Sequence, residues 1–495
     1  MISLLAAALA GQVNGNLQQI GDKKVLQVWG SHYERGLAQG YYLGEGVREV
    51  FQDFYYTMYT MSSPTVYDAM WNYYQEHFVQ DSRVLSEAGG LIAGMIEAGT
   101  STYHSGLQRN LDANDIMLMN AFMDMVLVRE RYTGTRLQLG CSSLSSWGVS
   151  THQDSLLAGN SVLTRFLDWT QNTALFANPV LVVHHPAEQN EQEWLSFTYP
   201  GLLGAVSAIS ANGTSAFVNT GNDNYAIDIS NLDPILFAVR RGIEHYDLDG
   251  NGNSNSLDIY AAVDAGTQLA SSIVHCLSEN ASGRVPVVVE TNNSATVLRY
   301  YDNNGNLPGE NLAATNHFRV LNNPTCCDRY NNIQDSLAVS HEVSAKRQWR
   351  IMSGAAGLET TLQALQYVPS TGNLLWASAV LGIPAYQTPA ITLNANDLFA
   401  YSVPNQDEAV PPALPSLNLY PNPARSKGTL SLSGGFDITG LKLYNLRGQL
   451  LLDRKLAQGV RQVSQELPSL PSGVYLLRAT GDKGLQAQRR LVVVP

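Results

Sequence analysis

Cysteine is scarce in this chain. Cys141, Cys276, Cys326 and Cys327 are the only four in 495 residues, too few for a disulfide framework at this length. No Cys-x-x-Cys pair occurs, which argues against a structural zinc site. One disulfide stays open, from Cys276 to Cys326 or Cys327, with Cys141 apart from them. After the N-terminus no stretch reaches the roughly 18 apolar residues of a membrane-spanning helix. Charge is sparse too, 15% of residues against 44% hydrophobic, so the chain can bury a large core and is not a disordered polymer.

The sign of the charge is uneven. Residues 417–495 hold 11 Lys and Arg against 4 Asp and Glu, so the total of −12 leaves −19 on residues 1–416. An acidic body repels phosphate backbones, which excludes nucleic acid as a partner class. At the start, Met1 to Ala10 is a short apolar run ending in small-x-small Ala8-Leu9-Ala10. That is the pattern of a secretory leader, although no Lys or Arg precedes it. Residues 1–20 are read as that leader.

The spacing over residues 24–31 predicts a strand, and 34–60, 66–80 and 114–130 have helical spacing. Short β-like runs follow at 156–160, 179–184 and 215–219. Helical stretches are expected at 233–246 and 257–277, then strands at 285–301 and 374–403. His184-His185, before Pro186, reads as an exposed strand end. Helix-rich then strand-rich texture predicts an α+β fold rather than βαβ alternation. Residues 404–416 are Pro-rich and read as a linker. Residues 417–495 show short alternating strands closed by Gly, Asn and Pro, the texture of a small all-β sandwich.

That tail resembles the C-terminal sorting domain of type IX secretion. The matching pieces are Tyr420-Pro-Asn-Pro-Ala424, the Leu-Tyr-Asn-Leu-Arg-Gly run at 443–448, Pro471-Ser-Gly-Val-Tyr-Leu476 and the basic-then-apolar end from Arg489-Arg490. The resemblance implies export across an outer membrane, to the medium or the cell surface, with the secretion machinery as partner.

Chemistry centres on Gly140-Cys141-Ser-Ser. A Cys that becomes the first residue of a new chain gains a free α-amine, whose pKa of about 7.7–8.0 suits a proton shuttle to its own thiol. Gly140 tolerates the backbone geometry that self-cleavage requires. Arg165-Phe-Leu-Asp-Trp169 follows at the end of a β-like run. An Arg beside the thiol lowers its pKa, and an Asp can hold the α-ammonium. On a straight strand these two side chains face opposite ways, so a bend is required.

Residues 23–403 resemble the N-terminal-nucleophile hydrolases of the penicillin acyltransferase and acid ceramidase group, relatives of choloylglycine hydrolase. Gly30-Ser-His-Tyr-Glu-Arg-Gly36 with Gly40 is similar to that group's early Glu-Arg-Gly motif, and Gly140-Cys141-Ser to its processing site. Arg165-x-x-Asp168-Trp169, Thr315-Asn316-His317-Phe318, Arg329-Tyr330 and Val287-Val-Val-Glu290 are similar to later motifs, and Ala211-Asn212-Gly213 sits where the group has an Asn after a turn. Two departures are Phe166, where Asn is usual, and Gly213, where Glu is frequent. The resemblance implies an αββα four-layer sandwich, self-cleaved into 21–140 and 141–403. It implies Cys141 as nucleophile, Arg165 and Asp168 polarising it, Asn212 and Asn316 as the oxyanion hole, and Arg329 holding Asp168. No cofactor is expected for catalysis, and the substrate is a small amide or acyl amine.

Residues 247–258 fit a 12-residue calcium loop. Asp247, Asp249, Asn251 and Asn255 take positions 1, 3, 5 and 9, Asn253 offers a carbonyl at 7, Gly252 stands at 6, and Asp258 closes at 12. A single such loop reads as a structural Ca2+ site. Three functions remain open: hydrolysis of linear amides, acyl transfer to an amine on the same scaffold, or a calcium-stabilised surface protein without activity.

Overall fold

The computed structural model describes residues 13–135, 137, 139–221, 228–281, 283–301, 307–321, 327–403, 417–445, 449–481 and 486–494. The chain divides into two compact units, residues 1–403 and 404–495.

The first unit opens with β1 (Gly15–Ile20), β2 (Lys23–Gly30) and α1 (His32–Glu49), which runs on as a π-helix over Val50–Tyr59. Next come α2 (Pro64–His77), α3 (Ser82–Glu97), the small hairpin β3 (Tyr103–His104) and β4 (Arg109–Asn110), α4 (Ala113–Asn120) and α5 (Val126–Thr133). Then follow β5 (Gly140–Ser146), β6 (Val162–Asp168), α6 (Thr173–Ala177), β7 (Val180–Pro186), β8 (Trp194–Thr198), β9 (Ser207–Ser210) and β10 (Thr214–Thr220). After these come α7 (Ile235–Glu244), α8 (Ser256–Asp264), β11 (Ser272–Asn280), β12 (Gly283–Thr291), β13 (Thr296–Arg299) and β14 (Asn311–Ala314). The unit ends with α9 (Asp328–Val339), α10 (Ala345–Ala355), β15 (Thr361–Val368), β16 (Asn373–Ser378), β17 (Ile391–Asn394) and α11 (Ala395–Phe399).

Two sheets face each other. One has nine strands in the order β1-β2-β7-β8-β9-β10-β11-β12-β13, the other six in the order β14-β5-β6-β15-β16-β17. Leu163 of the smaller sheet packs on Phe217 and Leu277 of the larger. Val25, Leu181 and Phe197 likewise pack on Leu365, Leu374 and Trp376. Helix α1 covers the outer face of the large sheet through Ala38 and Leu43 on Leu26, Val28 and Val180. Helix α10 covers the small sheet, where Gln348 bonds the Val162 carbonyl and the Ser146 hydroxyl. The result is an αββα four-layer sandwich.

The early Glu-Arg-Gly motif now has physical content. Ser31 and Glu34 form a capping box at the start of α1, the reciprocal bond that satisfies a helix N-terminus. Arg35 is buried and pairs with Glu191 at 3.0 Å. Gly36 and Gly40 form a smooth seam against Gly90 and Gly94 of α3, so the two helix backbones nearly touch. A Cβ on Gly40 would lie 1.9 Å from the Leu91 carbonyl oxygen.

Several expectations are corrected. Gly15–Ile20 is not leader but an edge strand paired along its length with β2; residues 1–12 lie outside the described part. The 114–130 helix is two helices, α4 and α5, separated by a turn at 121–125. The run at 156–160 is a turn, and 257–277 is helix only as far as Asp264, then strand from Ser272. Cys276 and Cys327 are buried free thiols, so they do not pair with each other, and Cys326 lies outside the described residues. His184 and His185 are buried, because strand β7 is covered on both faces; His184 stacks on Trp194 at 4.0 Å.

The second unit is a single sheet in the order β18 (Leu417–Tyr420), β20 (Thr429–Asn445), β22 (Gly473–Gly481), β23 (Gln486–Val494), β19 (Ala424–Arg425), with β21 (Leu450–Glu466) on the other edge of β20. Irregular register between Ser433 and Ile438 bends β20, so the sheet curls around Leu430, Leu441, Leu443, Leu477 and Leu491. The linker at 404–416 lies outside the described residues.

The helix seam gives a stability test. Ala is favoured over Gly inside a helix by about 1 kcal/mol, whereas overpacking costs about 1–3 kcal/mol. At Gly89 nothing lies within 4 Å of an added Cβ. Gly89→Ala is expected to raise the melting temperature slightly and Gly40→Ala to lower it by several degrees, measured by thermal unfolding of the two purified proteins.

Candidate active site

Four strands and one helix deliver the site. In the register of β5 on β6, Gly140 lies across from Asp168, Cys141 from Leu167 and Ser143 from Arg165. On the other edge of β5, β14 ends with Ala314 opposite Ser143, so Thr315 and Asn316 run on beside Cys141. From the facing sheet, the end of β10 brings Val218, Asn219 and Thr220. Arg329 enters from the first turn of α9.

No bend in β6 is needed: its register on β5 is continuous through Asp168, so Arg165 lies on the same face as Cys141 and Asp168 on the other. The register of β15 on β6 slips between Thr361 and Gln363, opposite Leu167 and Asp168. The extra residue is in β15, so it is β15 that bends there, with Thr361 beside Asp168. Arg165 Nη2 then lies 3.4 Å from the Cys141 sulfur and donates to the Val218 carbonyl at 2.8 Å. Its Nη1 donates to Asn219 Oδ1 at 2.8 Å. Asp168 accepts from Arg329 Nη1 at 2.9 Å and from the Thr361 hydroxyl at 2.6 Å.

Asn316 faces the nucleophile's nitrogen. The Cys141 N–H donates to Asn316 Oδ1 at 3.0 Å, and Arg329 Nη2 donates to the same oxygen. The Asn316 NH2 is committed to the Thr220 carbonyl at 2.7 Å and hydroxyl at 3.0 Å. Arg329 Nη1 also donates to the Cys141 carbonyl at 3.0 Å. Val287-Val-Val-Glu290 supports this corner from behind. Glu290 accepts from the backbone N–H groups of Arg319, Val320 and Leu321 at 2.8–3.0 Å, which pins the loop after Asn316.

Burial pushes the Cys141 thiol above its ordinary pKa, and Arg165 opposes that shift without cancelling it. Arg165 does not by itself bring the thiol down, as its proximity alone would suggest, because the sulfur is fully enclosed. Burial also raises the Asp168 carboxyl, against the pull of Arg329 and the Thr361 hydroxyl.

Asn212 is not part of this site. It lies in the turn before β10, where it bonds the Thr214 N–H at 3.0 Å and the Ser254 carbonyl at 3.1 Å. The seven-residue strand β10 spans roughly 20 Å at about 3.3 Å per residue, and the active site is at its other end. The asparagine delivered there is Asn219, which spans Arg165 and the Thr315 carbonyl. Its signal in the sequence was its place as the polar end of an apolar strand, just before Gly221. Thr220 and Thr361 were likewise missed.

Beside Gly140, on the far side of the buried Cys141, a cavity of about 810 Å3 opens. Asp168, Asn316 and Arg329 form its floor, and Met123, Val126, Leu127, Leu137, Leu139 and Leu358 give it apolar walls. Leu137 and Leu139 belong to the segment that precedes Cys141.

In the loop 247–258, the Asp247, Asp249 and Asp258 carboxylates each place an oxygen within 4.8 Å of the others. The Gly252 N–H donates to Asp247, and Gly252 has φ 87°. Asn251 Nδ2 donates to Asp249, and Asn255 caps α8 while its N–H donates to Asp258. The Asn253 carbonyl accepts from Asn255.

Cys141 thus stands at the head of an inner strand of the αββα sandwich, with Arg165, Asp168, Asn316 and Arg329 converging on it. Residues 418–494 match the secretion system C-terminal sorting domain family, and the chain is accordingly an exported one, secreted or held at the cell surface. Among the described residues no helix is long and apolar enough to cross a membrane. The chain is 23% identical over 209 residues to protein dcd1B of Dictyostelium discoideum, covering 41% of this chain and spanning only 40% of the length of that relative. It is similar to the solved Caenorhabditis elegans N-acylethanolamine-hydrolyzing acid amidase ortholog, at 16% identity and TM-score 0.34 over 46% of this chain and 93% of that one. It is also similar to a mutant of the conjugated bile acid hydrolase from Clostridium perfringens, at 9% identity and TM-score 0.33 over 51% of this chain and 93% of that one.

The contact of Arg165 with sulfur predicts a pH effect. A cation this close favours the thiolate by about 1 to 3 pH units. Arg165→Ala is expected to move ionisation of Cys141 upward by that order, read as thiolate absorbance against pH with Cys141→Ala as the blank.

Proposed function

We propose that the protein is an exported amide hydrolase that cuts itself between Gly140 and Cys141 and then uses the Cys141 thiol as nucleophile. The observation that carries this reading is the hydrogen bond from the Cys141 N–H to Asn316 Oδ1, together with Arg165 on the sulfur. The nitrogen that must become the α-amine is already held, and the thiol already has its cation.

In self-cleavage the thiol adds to the Gly140 carbonyl, the Gly140–Cys141 bond breaks, and the nitrogen leaves as an amine. Water then opens the thioester and frees the Gly140 carboxylate. The amine, with a pKa of about 7.7–8.0, takes the thiol proton in each later turnover. The thiolate attacks the substrate carbonyl, the proton passes to the leaving amine, and water hydrolyses the acyl-thioester. Asn316 is the donor we assign to the oxyanion, its NH2 exchanging the Thr220 carbonyl for the substrate oxygen; such a donor contributes about 100- to 1,000-fold to turnover.

Intact mass and N-terminal sequencing test the reading. Wild type is expected as two fragments, the second beginning Cys-Ser-Ser-Leu, with a trapped acyl-thioester on Cys141 after an amide substrate. Cys141→Ala is expected as one chain. An uncut wild type that still hydrolyses amides would overturn the mechanism.

We also propose one structural Ca2+ in the loop 247–258. Support comes from the position-1, -3 and -12 carboxylates close together and from the flanking helices α7 and α8. The oxygens would come from Asp247, Asp249, Asn251, the Asn253 carbonyl, Asn255 and Asp258, a set that suits a hard cation. At calcium 100-fold above its dissociation constant, binding stabilises by about 2.7 kcal/mol. Chelator is expected to lower the melting temperature of wild type and to leave Asp247→Ala/Asp249→Ala unchanged. Equal melting of wild type with and without chelator would count against the ion.

A further inference from the structure

The cavity beside Gly140 has a charge pattern that the hydrolase reading does not use. Its apolar wall includes Val126 and Leu127 of α5, and Glu130 also lines it. Residues three and four apart share a helix face, so Glu130 stands one turn along from those apolar side chains. Glu359 lines the cavity from the segment before β15, next to Leu358. Glu359 is exposed and Glu130 half-buried.

Nearby cations are committed elsewhere. Arg129 donates to the Tyr59 and Thr135 carbonyls. Arg131 is exposed and does not line the cavity. Arg329 is the one cation among the described lining residues, and it is shared between Asp168, Asn316 and the Cys141 carbonyl. Among the described lining residues Asp168 and Arg329 offset each other, which leaves Glu130 and Glu359 as the excess charge. An amide ending in carboxylate or sulfonate meets two like charges there. An amide ending in ammonium meets two opposite ones.

Resting on the hydrolase reading, we infer that the substrate is an N-acyl diamine or polyamine: an apolar acyl group joined through the scissile amide to an amine that carries a second, protonated nitrogen. The acyl chain lies along Met123, Val126, Leu127 and Leu358, and the ammonium is held by Glu130 and Glu359. Cleavage forms the acyl-thioester on Cys141 and releases the diamine, and water then releases the fatty acid.

The test uses three decanoyl amides, of diaminobutane, ethanolamine and glycine, below micelle-forming concentration, with the self-cleaved full-length protein. Each partly exposed ion pair contributes up to about 1 kcal/mol, so kcat/KM is expected to fall about tenfold from the diamine amide to the ethanolamide. It falls again to the glycine amide, and the spread narrows in high salt. In Glu130→Gln/Glu359→Gln the diamine-to-ethanolamide ratio is expected to drop to near one. Turnover of all three amides without that order, or an order that the double variant retains, overturns the inference and leaves the hydrolase reading standing. Binding of the same amides to uncut Cys141→Ala, by calorimetry, reads the charge order without chemistry. Tightest binding of the diamine amide supports the inference even if wild type turns over none of them, a result that would count against the hydrolase reading alone. No order in binding overturns it.

Discussion

Arg329 donates to Asp168 at the end of β6, to the Cys141 carbonyl in β5 and to Asn316 beyond β14. These three segments are far apart in sequence and adjacent in one sheet. A guanidinium offers five donors in a rigid plane, so a single side chain can fix three strands at once. The thiol then sits beside Arg165 of the same sheet and against the Val218 carbonyl of the facing sheet. A Lys in place of Arg329 has no such fork and could not hold all three.

A second polar assembly does comparable work away from the thiol. His32, Arg35 and Glu87 come from the chain before Cys141, and Glu191, Arg240 and Glu244 from the chain after it. His32 lies 2.9 Å from both Glu87 and Glu191, and Arg240 lies 2.6 Å from Glu87 and 2.8 Å from Glu244. Burial pulls the His32 pKa down, yet its two carboxylate partners raise it overall. Buried charges are costly unless paired and hydrogen-bonded. Here each charge has a partner from the other segment, so the two segments hold together without relying on the peptide bond at Gly140.

The motifs around the thiol were readable because their chemistry is rare. A Gly-Cys pair followed by Arg-x-x-Asp, Thr-Asn-His and Arg-Tyr is not a pattern that core packing produces, and the fold brings Cys141, Arg165, Asp168, Asn316 and Arg329 together. Asn212 was misplaced because Asn is common in turns, and nothing local distinguished it from Asn219 at the other end of the same strand. Strand β5 escaped notice because it is buried on both faces. Six of its seven residues are buried, so the polar-apolar alternation that marks a half-exposed strand is absent. The stretch 257–277 misled for a related reason, since its apolar content suits a buried strand as well as a helix.

The sequence alone determined the α+β class, the separate all-β tail and most of the side chains that converge at Cys141. These are properties of composition, period and residue chemistry, which are local. Tertiary structure alone decided which asparagine reaches Arg165, that burial outweighs Arg165 in setting the thiol's pKa, and that Glu130 and Glu359 share one cavity with Asp168 and Arg329. Each of these depends on distances between segments tens to hundreds of residues apart, and those distances exist only once the two sheets have closed on each other.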